Sequence, residues 1–292
     1  MKNYFSKLNN WQLAIISGIL IGISFHPIHL GILVYIGFIP ILHSWFVNTS
    51  KNNFFSGYIF GITYNLISNY WMATNSGAEF IVVLLSLIAA TAYLSIFWAI
   101  AGFVVGFYKN IFIKILIMPF LIVSLEWVRS FGPLGFAWGN LAVTQMDIIH
   151  LLQFIEYGGT YIITFWIVSI NSVIYYHFFK GSFPKQKLVM LLALFLGINA
   201  IGLIKLNMES GRNNNTELDI AVIQPNLNPN EKWDRTTREL TLNIMDSLHQ
   251  LAIGHRRQVS RYRDAGFLSH SVHLFLRRCG LNHRLGIEEG LG

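Results

Sequence analysis

A carboxylate and a guanidinium stand three residues apart at Glu126 and Arg129, where a long apolar run ends. Three residues is close to one helical turn, so both side chains share a face and are spaced to pair. Burying either alone beside apolar surroundings is expensive, which predicts a paired or water-facing arrangement at a membrane boundary. The chain continues into SFGPLGFAWGNLAVTQ, Ser130 to Gln145, where Gly132, Pro133, Gly135 and Gly139 are interleaved with Phe131, Phe136 and Trp138. This stretch is too polar and glycine-rich for a span and too apolar for an aqueous loop. A segment dipping into the outer leaflet fits it, with a plain aromatic-belt anchor as the other reading. A second polar group follows: Thr144, Gln145 and Asp147, then Gln153, Glu156, Tyr157, Gly158 and Gly159. Two readings of it stand side by side, a seat for a lipid head group or a helix start with its hydrogen bonds satisfied locally.

Other residue types suited to chemistry lack the company that chemistry needs. His26, His29 and His43 have no carboxylate or cysteine near them, so they read as interfacial polar residues, and no metal or other cofactor is expected. Cys279 is the single thiol, so it forms no disulfide within the chain. Arg277 and Arg278 beside it favour a thiolate, but no positioned base is identifiable.

The elements that must hold these groups follow from composition. Hydrophobic residues make up 53% of the 292 and charged residues 12%, against about 25% charge in a soluble domain. The apolar residues fall in blocks near the ~20 residues that cross a bilayer core. They predict seven helices at about 11–25, 29–47, 54–71, 80–107, 112–128, 151–179 and 188–205. The fold expected is an α-helical polytopic membrane bundle over residues 1–206, with an outer-face loop at 129–150. No small-residue cleavage site follows the first block, so it reads as a retained helix rather than a signal peptide. Gly18 with Gly22, Gly57 with Gly61 and Gly102 with Gly106 form GxxxG patterns, which let helix backbones approach closely. Lys2, Lys7, Lys51, Lys109, Lys114, Lys180, Lys185 and Lys187 fall on one side of the bundle, against Arg129 alone on the other. The positive-inside rule then puts the N-terminus in the cytoplasm of a bacterium. With an odd number of spans, residues after 206 are expected on the periplasmic side of the inner membrane.

Residues 207–217 read as a polar linker. Leu218 to Gln224 is a Val- and Ile-rich run bounded by polar residues, which predicts a buried strand. Asn226 to Asn230 makes a turn, and Leu240, Ile244, Leu248 and Leu251 recur at helical spacing after an N-cap at Asp234. Residues 218–253 therefore open an α/β domain. The net charge of +7 does not argue for nucleic acid, because residues 254–292 alone hold seven Arg against three acidic residues. That tail has no Lys, whereas the chain before it has ten. The shift predicts translation out of frame after about Ile253, the other reading being a basic extension that binds anionic lipid.

In combination, the loop GFAWGNLAVTQ, the span start QFIEYGGTYIITFWIVSIN and the stretch AVIQPNLNPNEKWD resemble bacterial apolipoprotein N-acyltransferase over roughly residues 11–250. The resemblance implies an inner-membrane enzyme with an incomplete periplasmic αββα domain of the nitrilase (carbon–nitrogen hydrolase) type. Such enzymes move an acyl chain from a phospholipid, through a cysteine thioester, to the α-amine of a lipoprotein's N-terminal diacylglyceryl-cysteine. A glutamate base activates the thiol, and a lysine and backbone donors stabilise the oxyanion. The resemblance matches Trp233 to a tryptophan near the acyl site, with an interfacial anchor as its other reading. It matches Gly135, Phe136 and Trp138 to the membrane loop beside that site. Gln224, Pro225 and Asn226 match the end of the first nitrilase strand. The partners implied are a phospholipid donor, a diacylated lipoprotein acceptor and the membrane itself.

Departures from the family pattern are as specific as the matches. Ala137 stands where the family has proline, no Trp follows Trp233 to form a W-P-E motif, and Cys279 lies in RRCGL rather than C-Y-E. The expectation is a truncated form without the Glu-Lys-Cys triad, inactive in acyl transfer as written. Two alternatives remain, a non-catalytic lipid-binding remnant and a transporter-like bundle. The second calls for inverted repeats and charges at mid-membrane depth, neither of which the sequence clearly shows.

Overall fold

The computed structural model describes residues 5, 7–25, 27–28, 30–74, 78–180, 185–210, 219–224, 238–255 and 273–278. It divides into two compact units, Met1–Asn75 with Phe80–Asn207, and Ser76–Glu79 with Met208–Gly292.

In the first unit, α1 (Asn10–Gly22) leads through a 3-10 turn, Gly31–Leu33, to α2 (Val34–Gly37) and α3 (Ile39–Val47). Then come α4 (Ser50–Ser68), a 3-10 turn at Tyr70–Thr74, α5 (Phe80–Gly106) and α6 (Ile111–Arg129). A loop containing the 3-10 turn Leu141–Gln145 precedes α7 (Ile149–Leu152), α8 (Ile155–Gly158), α9 (Thr160–Lys180) and α10 (Lys185–Ser210). Among the described residues, α5, α6 and Thr160–Phe179 of α9 are long and apolar enough to cross a membrane. Asn10–Gly22, Gly31–Val47 and Phe195–Met208 are shorter apolar helices. Only 28% of the most apolar window of α5 is buried, and Phe80, Ile81, Leu85 and Ile88 point outward. Such a face needs lipid or another apolar partner. The unit is a helical bundle of membrane type.

The sixth expected segment, 151–179, is not one helix. It breaks at Gly159, whose φ of 62° and ψ of −166° lie in a region essentially confined to glycine. The long helix therefore starts at Thr160. The second expected segment is interrupted as well, with Pro40, which has no N–H for the Ile36 carbonyl, at the start of α3. Where Phe38 would bond to Val34 in a continuous helix, Asn171 of α9 inserts its amide. Its Oδ1 accepts from Phe38 N at 3.1 Å and its Nδ2 donates to Val34 O at 2.8 Å. A side chain entering the helical ladder is a recognised cause of a break, and here it satisfies both freed groups.

All three GxxxG patterns lie at close helix contacts. Gly18 and Gly22 of α1 face Thr63 and Ile67 of α4. Gly57 and Gly61 of α4 face Trp98 and Ser95 of α5, while Gly102 and Gly106 of α5 face Asn53 and Ser50 of α4. The α4–α5 seam is thus glycine-lined from both sides. Beside it, Phe38, Phe60, Tyr64 and Trp98 cluster, with the Phe60 and Trp98 centroids 4.9 Å apart and edge-on. Lys114 of α6 is buried, and its Nζ donates to the carbonyls of Trp45 and Phe46 at 3.1 and 3.0 Å. It thereby satisfies the unpaired carbonyl end of α3.

The second unit contains β1 (Asp219–Gln224), α11 (Arg238–His255) and β2 (His273–Arg278). The strands pair antiparallel, from Asp219 opposite Arg278 to Gln224 opposite His273. The strand expected at Leu218 to Gln224 corresponds to β1. The helix runs from 238 to 255 rather than 234 to 251, and Asp234 lies outside the described residues. Of its expected apolar stripe, Leu248 is buried and Leu240 is exposed.

A Cβ at Gly61 would lie 2.7 Å from Ser95 Cα, so Gly61→Ala forces α4 and α5 apart. Its expected cost is about 1–3 kcal/mol, read as a lower thermal midpoint in detergent. At Gly197 nothing lies within 4 Å of an added Cβ, so Gly197→Ala should leave the midpoint unchanged or raise it.

Candidate functional site

Glu126 and Arg129 sit in the last turn of α6, both 2% exposed. Their hydrogen bonds run to the loop and to α9 rather than to each other. Glu126 Oε1 accepts from the backbone N–H of Leu141 at 2.8 Å, and Oε2 accepts from the Thr164 hydroxyl at 2.8 Å. Arg129 Nη2 donates to Asn140 Oδ1 at 2.8 Å. The Tyr64 hydroxyl donates to Gly139 O. Three consecutive loop residues, Gly139, Asn140 and Leu141, are thus gripped by α4 and α6. Spacing suggested that Glu126 and Arg129 pair with each other; they instead divide the loop between them. Thr164 and Tyr64 were not singled out in the sequence. The available signal was only that a polar group buried within a helical bundle must find a partner, and both helices carry several such groups.

Between these grips, the loop turns on Gly132, with φ of 78°. Gly135 N donates to Gly132 O at 2.9 Å and Phe136 N donates to the Arg129 carbonyl at 3.0 Å. A Cβ on Gly135 would lie 2.6 Å from the Ser130 carbonyl oxygen, so the turn closes only on glycine there. Phe136 is half-buried, whereas Leu134 and Trp138 are 67% and 71% exposed. The Trp138 ring meets Trp71, from the turn after α4, edge-on at 6.4 Å between centroids. With Trp127 and Phe131 also exposed, the loop carries an outward aromatic surface on a buried polar base.

The second polar group divides in two. Thr144 and Gln145 are buried: Gln145 Nε2 donates to Gly31 O at 2.9 Å, and its Oε1 accepts from the Tyr35 hydroxyl at 3.0 Å. The Thr144 hydroxyl donates to Leu141 O at 2.7 Å. These residues tie the loop to the start of the second helical segment. Glu156 is elsewhere, 64% exposed in its side chain and ion-paired with Lys205 of α10, whose ammonium also lies 5.1 Å from the Tyr157 ring centre. His43 packs against Phe5 and Phe179, with Nδ1 3.3 Å from the Tyr175 hydroxyl. Among the described residues, no three His, Cys, Asp or Glu side chains gather as metal ligands. His26, His29, Pro225, Asn226, Trp233 and Cys279 lie outside the described residues, and Gln224 closes β1.

Chemically, Glu126 with both oxygens engaged and Arg129 with an amide acceptor suit holding rather than proton transfer. What they hold is the glycine-rich turn and its aromatic face. Asn140→Ala removes the acceptor from a buried guanidinium, at a cost of about 1–3 kcal/mol or more. The expected result is a lower thermal midpoint together with faster proteolysis between 130 and 145, while Asn140→Asp, which keeps an oxygen acceptor for Arg129, should leave both measurements unchanged.

Comparison with known proteins bears on the same region. Residues 17–173, more than half of the chain, match the family defined as the apolipoprotein N-acyltransferase N-terminal domain. The stretch takes in α4, α5, α6, the gripped loop and Thr164. Among curated relatives, the apolipoprotein N-acyltransferase of Geobacter metallireducens is 28% identical over 255 residues, covering 83% of this chain and 48% of its own length. Those of Chlorobaculum tepidum and Thermotoga maritima are each 24% identical, covering 81% of this chain and 45% and 48% of theirs. The chain spans about half the length of the curated relatives it matches. With its bundle and loop inside the matched stretch, the chain belongs to the apolipoprotein N-acyltransferase family.

Proposed function

We propose that this chain forms the membrane part of an apolipoprotein N-acyltransferase, seating a phospholipid acyl donor at the outer leaflet for transfer to a diacylated lipoprotein. The observation that carries this reading is the aromatic loop pinned on buried polar groups, with Trp138 beside Trp71 and exposed to the surroundings of the bundle. Indoles of this kind favour the level of the lipid head groups, where one edge is wet and the ring is apolar. Gly135, Phe136 and Trp138 then contact the donor lipid, and Gln224, Asn226 and Trp233 belong to the region that receives it. The names of the relatives support the acyl-transfer reading.

In this reading the seven helical segments cross a bacterial inner membrane, with the N-terminus cytoplasmic and residues after 206 periplasmic. β1 and α11 open the nitrilase-type α/β domain. Transfer through a thioester needs an activated cysteine, and the 292 residues carry neither a W-P-E nor a C-Y-E motif. The polypeptide as written is therefore expected to bind the donor without transferring its acyl chain.

Two measurements test this. In proteoliposomes containing a photoactivatable phospholipid, crosslinks should map to 132–138 and fall severalfold in Trp138→Ala; crosslinks spread evenly over the bundle would overturn the lipid seat. Added diacylated lipopeptide should give no triacylated product by mass spectrometry, and turnover would refute the expected inactivity. For topology, in a Cys279→Ser background, an impermeant maleimide should label Trp138→Cys from the periplasm and Lys51→Cys only after the membrane is opened. The reverse pattern would invert the orientation.

A further inference from the structure

Between α5 and α6 lies a small cavity of about 10 Å³, lined by Phe97, Trp98, Ile122, Leu125, Glu126 and Arg129. Its size is near the smallest that holds one water. Two of its lining residues bring buried donors with no partner among the described residues, Trp98 Nε1 and Arg129 Nε. Their residues are 3% and 2% exposed, so neither nitrogen finds bulk solvent. A third lining residue, Glu126, contributes a carboxylate whose oxygens each accept one bond from the protein and retain a further lone pair. Buried N–H groups are almost always paired, and an unpaired donor on a charged group is the costliest kind. Two residues that line one cavity each carry such a donor, and a third carries an anionic acceptor, which together define a ligand by its chemistry.

We infer that this cavity is the binding site of a single buried water, whose oxygen accepts from Arg129 Nε and Trp98 Nε1 and whose protons face the Glu126 carboxylate. Water has the two lone pairs and two protons that this wall requires. A phosphate head group is too large for the space, and a halide would meet the Glu126 carboxylate without a proton to offer it. The water couples Glu126 to Arg129 where no direct bond does. It also makes Trp98 of α5 a positioning residue for the loop that Arg129 holds through Asn140. The inference stands on the bundle alone and is independent of any acyl transfer.

Cryo-electron microscopy of the chain in nanodiscs, at a resolution that shows ordered water, gives the direct test. A single compact density within about 3 Å of both nitrogens is expected; no density there, or density continuous with a lipid, overturns the site. A chemical test replaces Trp98 with 3-benzothienylalanine, which keeps the ring shape and lacks the N–H. If the water is bound, the thermal midpoint should fall and proteolysis of the 130–145 loop should accelerate. If Nε1 is truly unpaired, removing it relieves a buried cost, and an unchanged or raised midpoint would refute the proposal. The same replacement at Trp45, whose Nε1 is also buried and unpartnered but which does not line this cavity, provides the comparison. Loop proteolysis should be unaffected there.

Discussion

A carboxylate buried in a helical membrane bundle must be surrounded by donors, and much of the outer layer of this protein follows from meeting that need at Glu126. The helix that carries it has none to give, because its own N–H groups are committed to its backbone ladder. Donors have to come from other elements, and they come from the Leu141 backbone and the Thr164 hydroxyl. One side chain thereby joins α6, the loop and α9. Once Leu141 is fixed, Asn140 falls within reach of Arg129 and Gly139 within reach of Tyr64. The aromatic face of the loop is then held by main-chain geometry rather than by its own packing. A charge that would be prohibitive alone becomes the point from which a surface segment takes its shape.

The same rule operates at lower stakes throughout the bundle. Lipid tails are as apolar as leucine, so burial of apolar surface does little to bring helices together. Close contact and polar ties take over. Glycines on both sides of the α4–α5 seam bring backbones together, and Asn171, Gln145 and Lys114 each satisfy main-chain groups of another segment. Every one of these ties serves a place where a helix breaks, starts or ends. Irregular backbone persists in the bundle because side chains from elsewhere complete it.

Much of this was legible in the sequence, and the limits have physical causes. The apolar blocks located the helical segments, although among the described residues only three helices are long and apolar enough to cross a membrane. GxxxG spacing located the close seams, since it depends only on neighbours along one helix face. Glu126 and Arg129 stood out as costly residues, yet their partners could not be read, because Thr164 and Leu141 are 38 and 15 residues away in the chain. The break at Gly159 had a visible cue in the Gly158-Gly159 pair, but an apolar run on either side outweighed it. The break between α2 and α3 had a local cue in Pro40 at the start of α3, but the side chain that completes it, Asn171, lies 133 residues on and could not be read. Local patterns reveal elements and local contacts; they are blind to a polar partner supplied from across the fold.

Lys114 imposes an order on assembly. An ammonium drawn into the bundle needs acceptors at the moment it leaves water, and its acceptors are the carbonyls of Trp45 and Phe46, some 69 residues earlier in the chain. A ribosome delivers α3 before α6, so the acceptors are already in place when the lysine arrives. A circular permutant that makes α6 first would strand that charge until α3 followed. The direction of synthesis is thus matched to the electrostatics of the finished bundle.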